Sequence, residues 1–168
     1  MHRRRRPGPA TVRGVVASAS ACLLLASCSG GTIDLSDHRV LDADRTACQA
    51  LVDDLPATLD NQARREVEPK DALGAAWGDP AYVLVCGVLD PLDYEPTAEC
   101  NVIAGVGWYV TDDQLRDPQI DATPIALSLS PYVEVVVPSE YRTKGIDKAL
   151  SELAPVLQEH LGEGLACL

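Results

Sequence analysis

The chain has 168 residues, an apolar fraction of 46% and a formal net charge of −11. Its length fits one domain of roughly 100–200 residues, and its apolar content excludes a disordered acidic chain. The acidic balance argues against nucleic acid, whose capture rests on Lys and Arg neutralising phosphates, and no apolar run reaches the roughly 18 residues of a spanning helix.

Charge is unevenly placed along the chain. Residues 1–27 hold Arg3, Arg4, Arg5, Arg6 and Arg13 and no Asp or Glu. An apolar stretch from Val15 to Ala26 follows and ends at Ser27-Cys28. A basic region, a short apolar region and small residues before a cleavage point form the layout of a secretory signal. Leu25-Ala26-Ser27-Cys28 resembles the bacterial lipobox. In that motif the Cys thiol takes diacylglycerol, the chain is cut before the Cys, and the Cys becomes the first residue. Cys28 is the expected lipidation site; Cys22, inside the apolar stretch, is a poorer one. The Arg run suggests twin-arginine export, but Pro7-Gly8-Pro9 stands where apolar residues are needed, which favours the general secretory route. The expected organisation is a lipoprotein signal peptide over 1–27, a tether over 28–41 and a single α+β domain over 42–168. Cleavage leaves 141 residues, lowers the basic count from 14 to 9 and takes the net charge from −11 to −16. A domain so negative is repelled by anionic headgroups, so attachment to the extracytoplasmic face of the cell membrane must come from the lipid.

Along the domain, Asp42 or Asp44 is placed to cap a helix. Cys48, Leu51, Val52 and Leu55 then fall on one apolar stripe, and Pro56 ends it. Residues 60–70 read as a surface loop or edge strand, 71–77 as a helical turn and Gly78-Asp79-Pro80 as a turn. Ala81 to Val88, apolar on both faces, reads as a central strand. Residues 89–99 read as a loop and Cys100 to Val110 as a second strand, with Gly105 and Gly107 marking close approach or a bulge. An acidic loop over 111–121 precedes a third strand, Thr123 to Ser130, and a fourth, Tyr132 to Val137, with Val133, Val135 and Val137 inward and Glu134 outward. Ile146, Leu150, Leu153, Leu157 and Leu161 share the face of a last helix, which Pro155 is expected to kink or divide. The order predicts an α+β fold: a small antiparallel or mixed sheet of about four strands, with N- and C-terminal helices on one face.

Four cysteines remain in the mature domain: Cys48, Cys86, Cys100 and Cys167. An even number in an exported chain reads as two disulfides. A zinc site is disfavoured because no pair has Cys-x-x-Cys spacing. Spacing alone leaves all three connectivities open.

Cys48-Gln49-Ala50-Leu51 through Leu55-Pro56, Arg64-Arg65-x-Val67-x-Pro69, Ala75-Ala76-Trp77-Gly78-Asp79-Pro80, Val106-Gly107-Trp108 and Tyr132-Val133-Glu134-Val135-x-Val137-Pro138 follow in this order. In that order the chain resembles an uncharacterised actinobacterial group of exported or lipid-anchored proteins, the domain of unknown function 3515. The resemblance spans about residues 45–155 and brings no activity, cofactor or catalytic residue. It implies a Cys48–Cys86 bridge, which leaves Cys100 with Cys167. The rival, Cys86–Cys100 with Cys48–Cys167, is geometrically reasonable.

The residues offer little chemistry. His38 in the tether and His160 near the last helix's end lack ligand spacing and read as solvent-exposed, so no nucleophile–His arrangement is supported. Asp112, Asp113, Asp117 and Asp121 do not fit the calcium-loop pattern, and Gly105-Val106-Gly107 fails as a dinucleotide fingerprint. No catalytic residue, metal site or cofactor is assigned. Trp77 and Trp108 read either as core anchors or as walls of a ligand or partner groove, with Arg64, Arg65 and Asp79 as its polar contacts. The chain therefore reads as a lipid-anchored envelope protein that binds or scaffolds without catalysis, its partner an envelope protein or cell-wall component. The alternatives are a small-ligand-binding lipoprotein, or an envelope enzyme using carboxylates such as Asp79 and Glu134.

Overall fold

The computed structural model describes residues 31–91, 100–143 and 145–166. Among them the strands are β1 (Ile33–Asp34), β2 (Thr58–Leu59), β3 (Gln62–Arg65), β4 (Val67–Glu68), β5 (Gly74–Trp77), β6 (Tyr82–Val88), β7 (Asn101–Ile103), β8 (Val106–Tyr109), β9 (Ile125–Ala126), β10 (Leu129–Ser130), β11 (Tyr132–Val136) and β12 (Gly162–Glu163). The helices are α1 (Arg45–Asp54), α2 (Asp112–Arg116), α3 (Ser139–Arg142) and α4 (Asp147–His160). The class is α+β, as expected. The sheet is larger than the expected four strands: eight strands run in the order β2-β3-β5-β6-β11-β9-β8-β7, and every pair is antiparallel.

The extra strands come from short segments whose pattern is too brief to show a period of two. Residues 71–77 form no helical turn; Gly74–Trp77 pair with Tyr82–Val85 instead. Any Cβ at Gly74 would meet the Leu84 carbonyl and the Leu35 side chain, so the pairing requires glycine there. The expected single strand over 100–110 is a hairpin, because Ala104 and Gly105 both take positive φ, 49° and 84°, and reverse the chain. The acidic loop contains α2, and the segment 123–130 splits into β9 and β10.

The central strand is where the sequence placed it. Leu84 and Cys86 of β6 and Val133 and Val135 of β11 are fully buried. With Val106 and Trp108 they meet Cys48, Leu51, Leu55, Leu150, Leu153 and Leu157 in one core. The terminal helices α1 and α4 contact each other over it. Burying each Leu contributes about 1.5–3 kcal/mol, which explains why the two apolar stripes dock here. Pro155 does not divide α4; the helix runs through it. Pro155 and Ser151 are both exposed, so the Ser151 carbonyl that loses its helical donor can turn to water. Asp44 stands at the N-cap of α1, yet its side chain makes no capping bond.

Cys48 of α1 is bonded to Cys86 of β6, with Cα atoms 5.5 Å apart. This is the pairing the resemblance implied, and it rules out Cys86–Cys100. It is the one bridge whose two ends are both described. Cys100 is also disulfide-bonded; Cys167 and the expected lipidation site Cys28 lie outside the described residues.

Residues 31–41, expected as tether, carry structure of their own. Ile33–Asp34 pairs in parallel with Val67–Glu68, and the Ile33 and Leu35 amides donate to the Glu66 and Glu68 carbonyls at 3.0 and 2.6 Å. Leu35 reaches Gly74, the His38 imidazole meets the Cys86 carbonyl at 2.7 Å, and Val40 covers Gly87. From Ile33 to Val40 the chain therefore crosses β5 and β6 before entering α1. Apolar Ile33, Leu35 and Val40 are the reason: a solvated tether would leave them in water.

Candidate functional site

The sequence pointed to Arg64, Arg65, Trp77, Asp79 and Trp108. The fold brings four of them to one corner, where the end of α1, the β2–β3 hairpin and the β5–β6 turn meet. Arg64 and Trp77 are partners across β3 and β5. The Arg64 guanidinium lies 5.6 Å from the Trp77 ring centre and donates to the Leu55 and Val52 carbonyls at 2.9 and 3.2 Å. Those are carbonyls that the last turn of a helix leaves without amides, and a cation is favourable at that end. Burial lowers the Arg64 pKa and Asp53 opposes it; arginine begins so high that it stays charged. Arg64 thus caps α1 from the sheet.

Trp77 is fully buried, and its indole N–H donates to the Pro56 carbonyl at 2.9 Å. Arg65 is pinned the other way. It donates to the carbonyls of Gly78, at 2.9 Å, and Gly31, and it lies 3.8 Å from the Asp79 carboxylate. Its side chain is only 13% exposed, against 68% for Asp79. Trp108 sits elsewhere, on β8, fully buried, with no hydrogen-bond partner for its indole N–H. Two tryptophans with no exposed surface cannot wall a groove. They supply core bulk in a chain without Phe.

A polar network beside this corner escaped the sequence reading. Asp60 and Asn61, both at positive φ, form the β2–β3 turn. The Tyr82 hydroxyl donates to Asp60 Oδ2 at 2.9 Å, and Lys148 Nζ donates to Asp60 Oδ1. Glu152 accepts from the Asp60 amide at 2.7 Å and lies 3.3 Å from Lys148. Tyr141 stacks on Tyr82 with ring centres 4.6 Å apart, and its hydroxyl donates to the Pro80 carbonyl. Burial, then the Asp60 hydrogen bond, pushes the Tyr82 phenol well above its ordinary range, so it stays a donor. The signal was present: Asp-Asn between short apolar-polar runs favours a two-residue hairpin turn. The network ties α4 and the hairpin to β6.

The carboxylates named for an enzyme do not converge. Glu134 points away from Val133 and Val135 and is partly buried. Burial raises its pKa, and His38 opposes. Its partner Val85 lies three residues along β6 from Tyr82, roughly 10 Å at strand rise, and Asp79 lies beyond Tyr82. The histidines are not solvent-exposed as expected: His38 contacts the Cys86 carbonyl, and His160, 15% exposed, lies 2.9 Å from Asp54 at an angle too poor for a hydrogen bond.

Open surface of a different kind lies at the far edge of the sheet. Among the described residues β7 pairs with β8 on one side only. A groove of about 460 Å³ runs beside it, lined by Val102, Ile103, Leu115, Pro118 and Ile146 among others. Val102 is 67% and Leu115 49% exposed. Arg142 shapes its wall by donating to the carbonyls of Gln114, Asp117 and Ile120, which locks the segment after α2.

Residues 10–165 match the family described as a protein of unknown function, DUF3515. The chain belongs to the DUF3515 family. No curated protein and no solved structure matches it. In this DUF3515 chain the motif pieces are contacts of one another. Arg64 reaches Leu55, Trp77 reaches Pro56, and Arg65 reaches Gly78. Three separated pieces of sequence thus close one corner of the fold.

Proposed function

We propose that this DUF3515 protein is a lipid-anchored envelope protein that binds a partner protein or cell-wall component and does not catalyse. The observation that carries the binding role is a contrast. The polar residues that looked functional, Arg64 and Arg65, are engaged by backbone carbonyls, while apolar Val102 and Leu115 face water beside a strand edge with no second partner among the described residues. Exposed apolar patches mark interaction sites. The anchor reading rests on the basic, acid-free residues 1–27 and the lipobox-like Leu25-Ala26-Ser27-Cys28. The Cys48–Cys86 bridge supports export, since disulfides persist in oxidising compartments. Cys100 pairs with Cys167 in this reading.

Two acyl chains anchor where one binds reversibly, each methylene contributing about 0.8 kcal/mol. Cys28→Ser therefore moves the protein from the membrane to the soluble fraction. A mutant that stays membrane-bound overturns the anchor. Pull-down of the lipidated protein from membranes tests the binding role: a specific partner is recovered, and Val102→Asp with Leu115→Asp abolishes its capture. Undiminished capture by that variant overturns the assignment to the β7 edge.

A further inference from the structure

We infer that the domain is held against the membrane in one orientation, with the Arg65 corner down and the β7 edge outward. This rests on the Cys28 anchor proposed above. A loose tether over 28–41 would reach about 45 Å at full extension and would let the domain turn freely. The fold removes nearly all of that length. Arg65 holds the Gly31 carbonyl with the same guanidinium that binds Gly78, and Ile33–Asp34 is already a strand of the protein. Between Cys28 and the clamped Gly31 only three residue steps remain, about 10 Å at most.

Charge holds the domain off the leaflet. The mature domain carries −16, and an anionic leaflet repels it over a Debye length of about 8 Å. Repulsion reaches about as far as the leash, so the domain stands off with its tie point nearest the lipid. The tie point lies on β3, next to one end of the sheet, and β7 is the other end. Six inter-strand steps separate them, about 29 Å at 4.8 Å each. The face with Val102 and Leu115 is thus presented to the envelope space, and a partner reaches it without displacing lipid.

The test uses lipidated protein purified from membranes and reconstituted into phosphatidylcholine vesicles containing phosphatidylglycerol. A donor fluorophore is attached at Asp79→Cys or at Val102→Cys, and the acceptor is on lipid headgroups. Energy transfer is expected to be several-fold greater from position 79 than from position 102. An insert of about ten Gly/Ser residues between Gly30 and Gly31 is expected to erase that difference while leaving the thermal transition unchanged. Equal transfer from both positions, in protein that floats with the vesicles, overturns the orientation and leaves the anchor standing. A difference that survives the insert overturns the leash as its cause. Protein that does not float with the vesicles overturns the anchor and the orientation with it.

Discussion

Replacing Arg64 with Ala separates a structural arginine from an anion-binding one. The guanidinium makes two hydrogen bonds to the end of α1 and one ring contact. A hydrogen bond from a charged donor contributes about 1.5–3 kcal/mol, and the cation–π contact about 0.5–1 kcal/mol. The Val52 bond is solvent-exposed, so water replaces part of it, and the expected loss is about 2–3 kcal/mol. For a domain of roughly 140 residues 1 kcal/mol moves the thermal midpoint by about 3 °C, which predicts a fall of about 6–9 °C. Arg64→Lys keeps the charge but not the planar fork, and it should recover less than half of the loss. The assay is urea and thermal unfolding of oxidised protein spanning residues 31–168, with the slope against urea unchanged. A variant within about 0.5 kcal/mol of the parent, the scatter of ordinary surface changes, would refute the capping role and return Arg64 to the surface.

Three further outcomes follow from other contacts. Removing the Cys48–Cys86 bridge with paired Ala substitutions opens a loop of 38 residues; chain entropy sets the cost at about 4 kcal/mol, read from denaturation of the two proteins under oxidising conditions. Gly87 has φ of 81°, and a Cβ there would stand 2.5 Å from Val40. Gly87→Ala should therefore lose at least the 1–2 kcal/mol or so of a left-handed non-glycine residue, and Val40→Ala should relieve only the remainder in a double-mutant cycle. Burial raises the Glu134 pKa, so the folded state holds that proton to higher pH than the unfolded chain does. The penalty is absent below the unfolded value near 4.5 and complete above the folded one. Glu134→Gln should accordingly raise the urea midpoint at pH 7 and leave it unchanged at pH 4.

How far the sequence could be read depended on element length. The stripes of α1 and α4 and the strands β6 and β11 span enough residues for a period to show, and Leu51, Leu150, Leu153, Leu157, Val133 and Val135 are all buried as that period requires. β2, β3, β5, β7 and β9 have two to four residues each, too few to show alternation. What fixes them is pairing with a neighbouring strand and, at two of the turns, the positive φ of Asp60, Asn61 and Ala104. The candidate corner was legible as a set of pieces, since Arg64, Arg65, Trp77 and Asp79 do gather. Their role was not legible: an exposed arginine and one that binds Val52 and Leu55 carbonyls read identically along the chain.

The arginines also bear on what can approach the β7 edge. Nine basic residues face 25 acidic ones over residues 28–168. Arg64, Arg65 and Arg142 point their guanidinium groups at backbone carbonyls of α1, the Gly31 and Gly78 turns and the segment after α2. Lys148 lies between Asp60 and Glu152. A carbonyl neutralises none of an arginine's charge, but it fixes that charge against the protein. Asp79, Asp112 and Asp54, by contrast, are largely exposed beside a single cation or imidazole each. Scarce cations thus stitch irregular segments together while negative charge is left facing water. A ligand entering the groove at Val102 and Leu115 crosses a field set by the net −16 of residues 28–168, which speeds basic partners and slows acidic ones. A basic partner with apolar side chains fits both the field and the groove. Its association rate should fall steeply with added salt while its dissociation rate changes little.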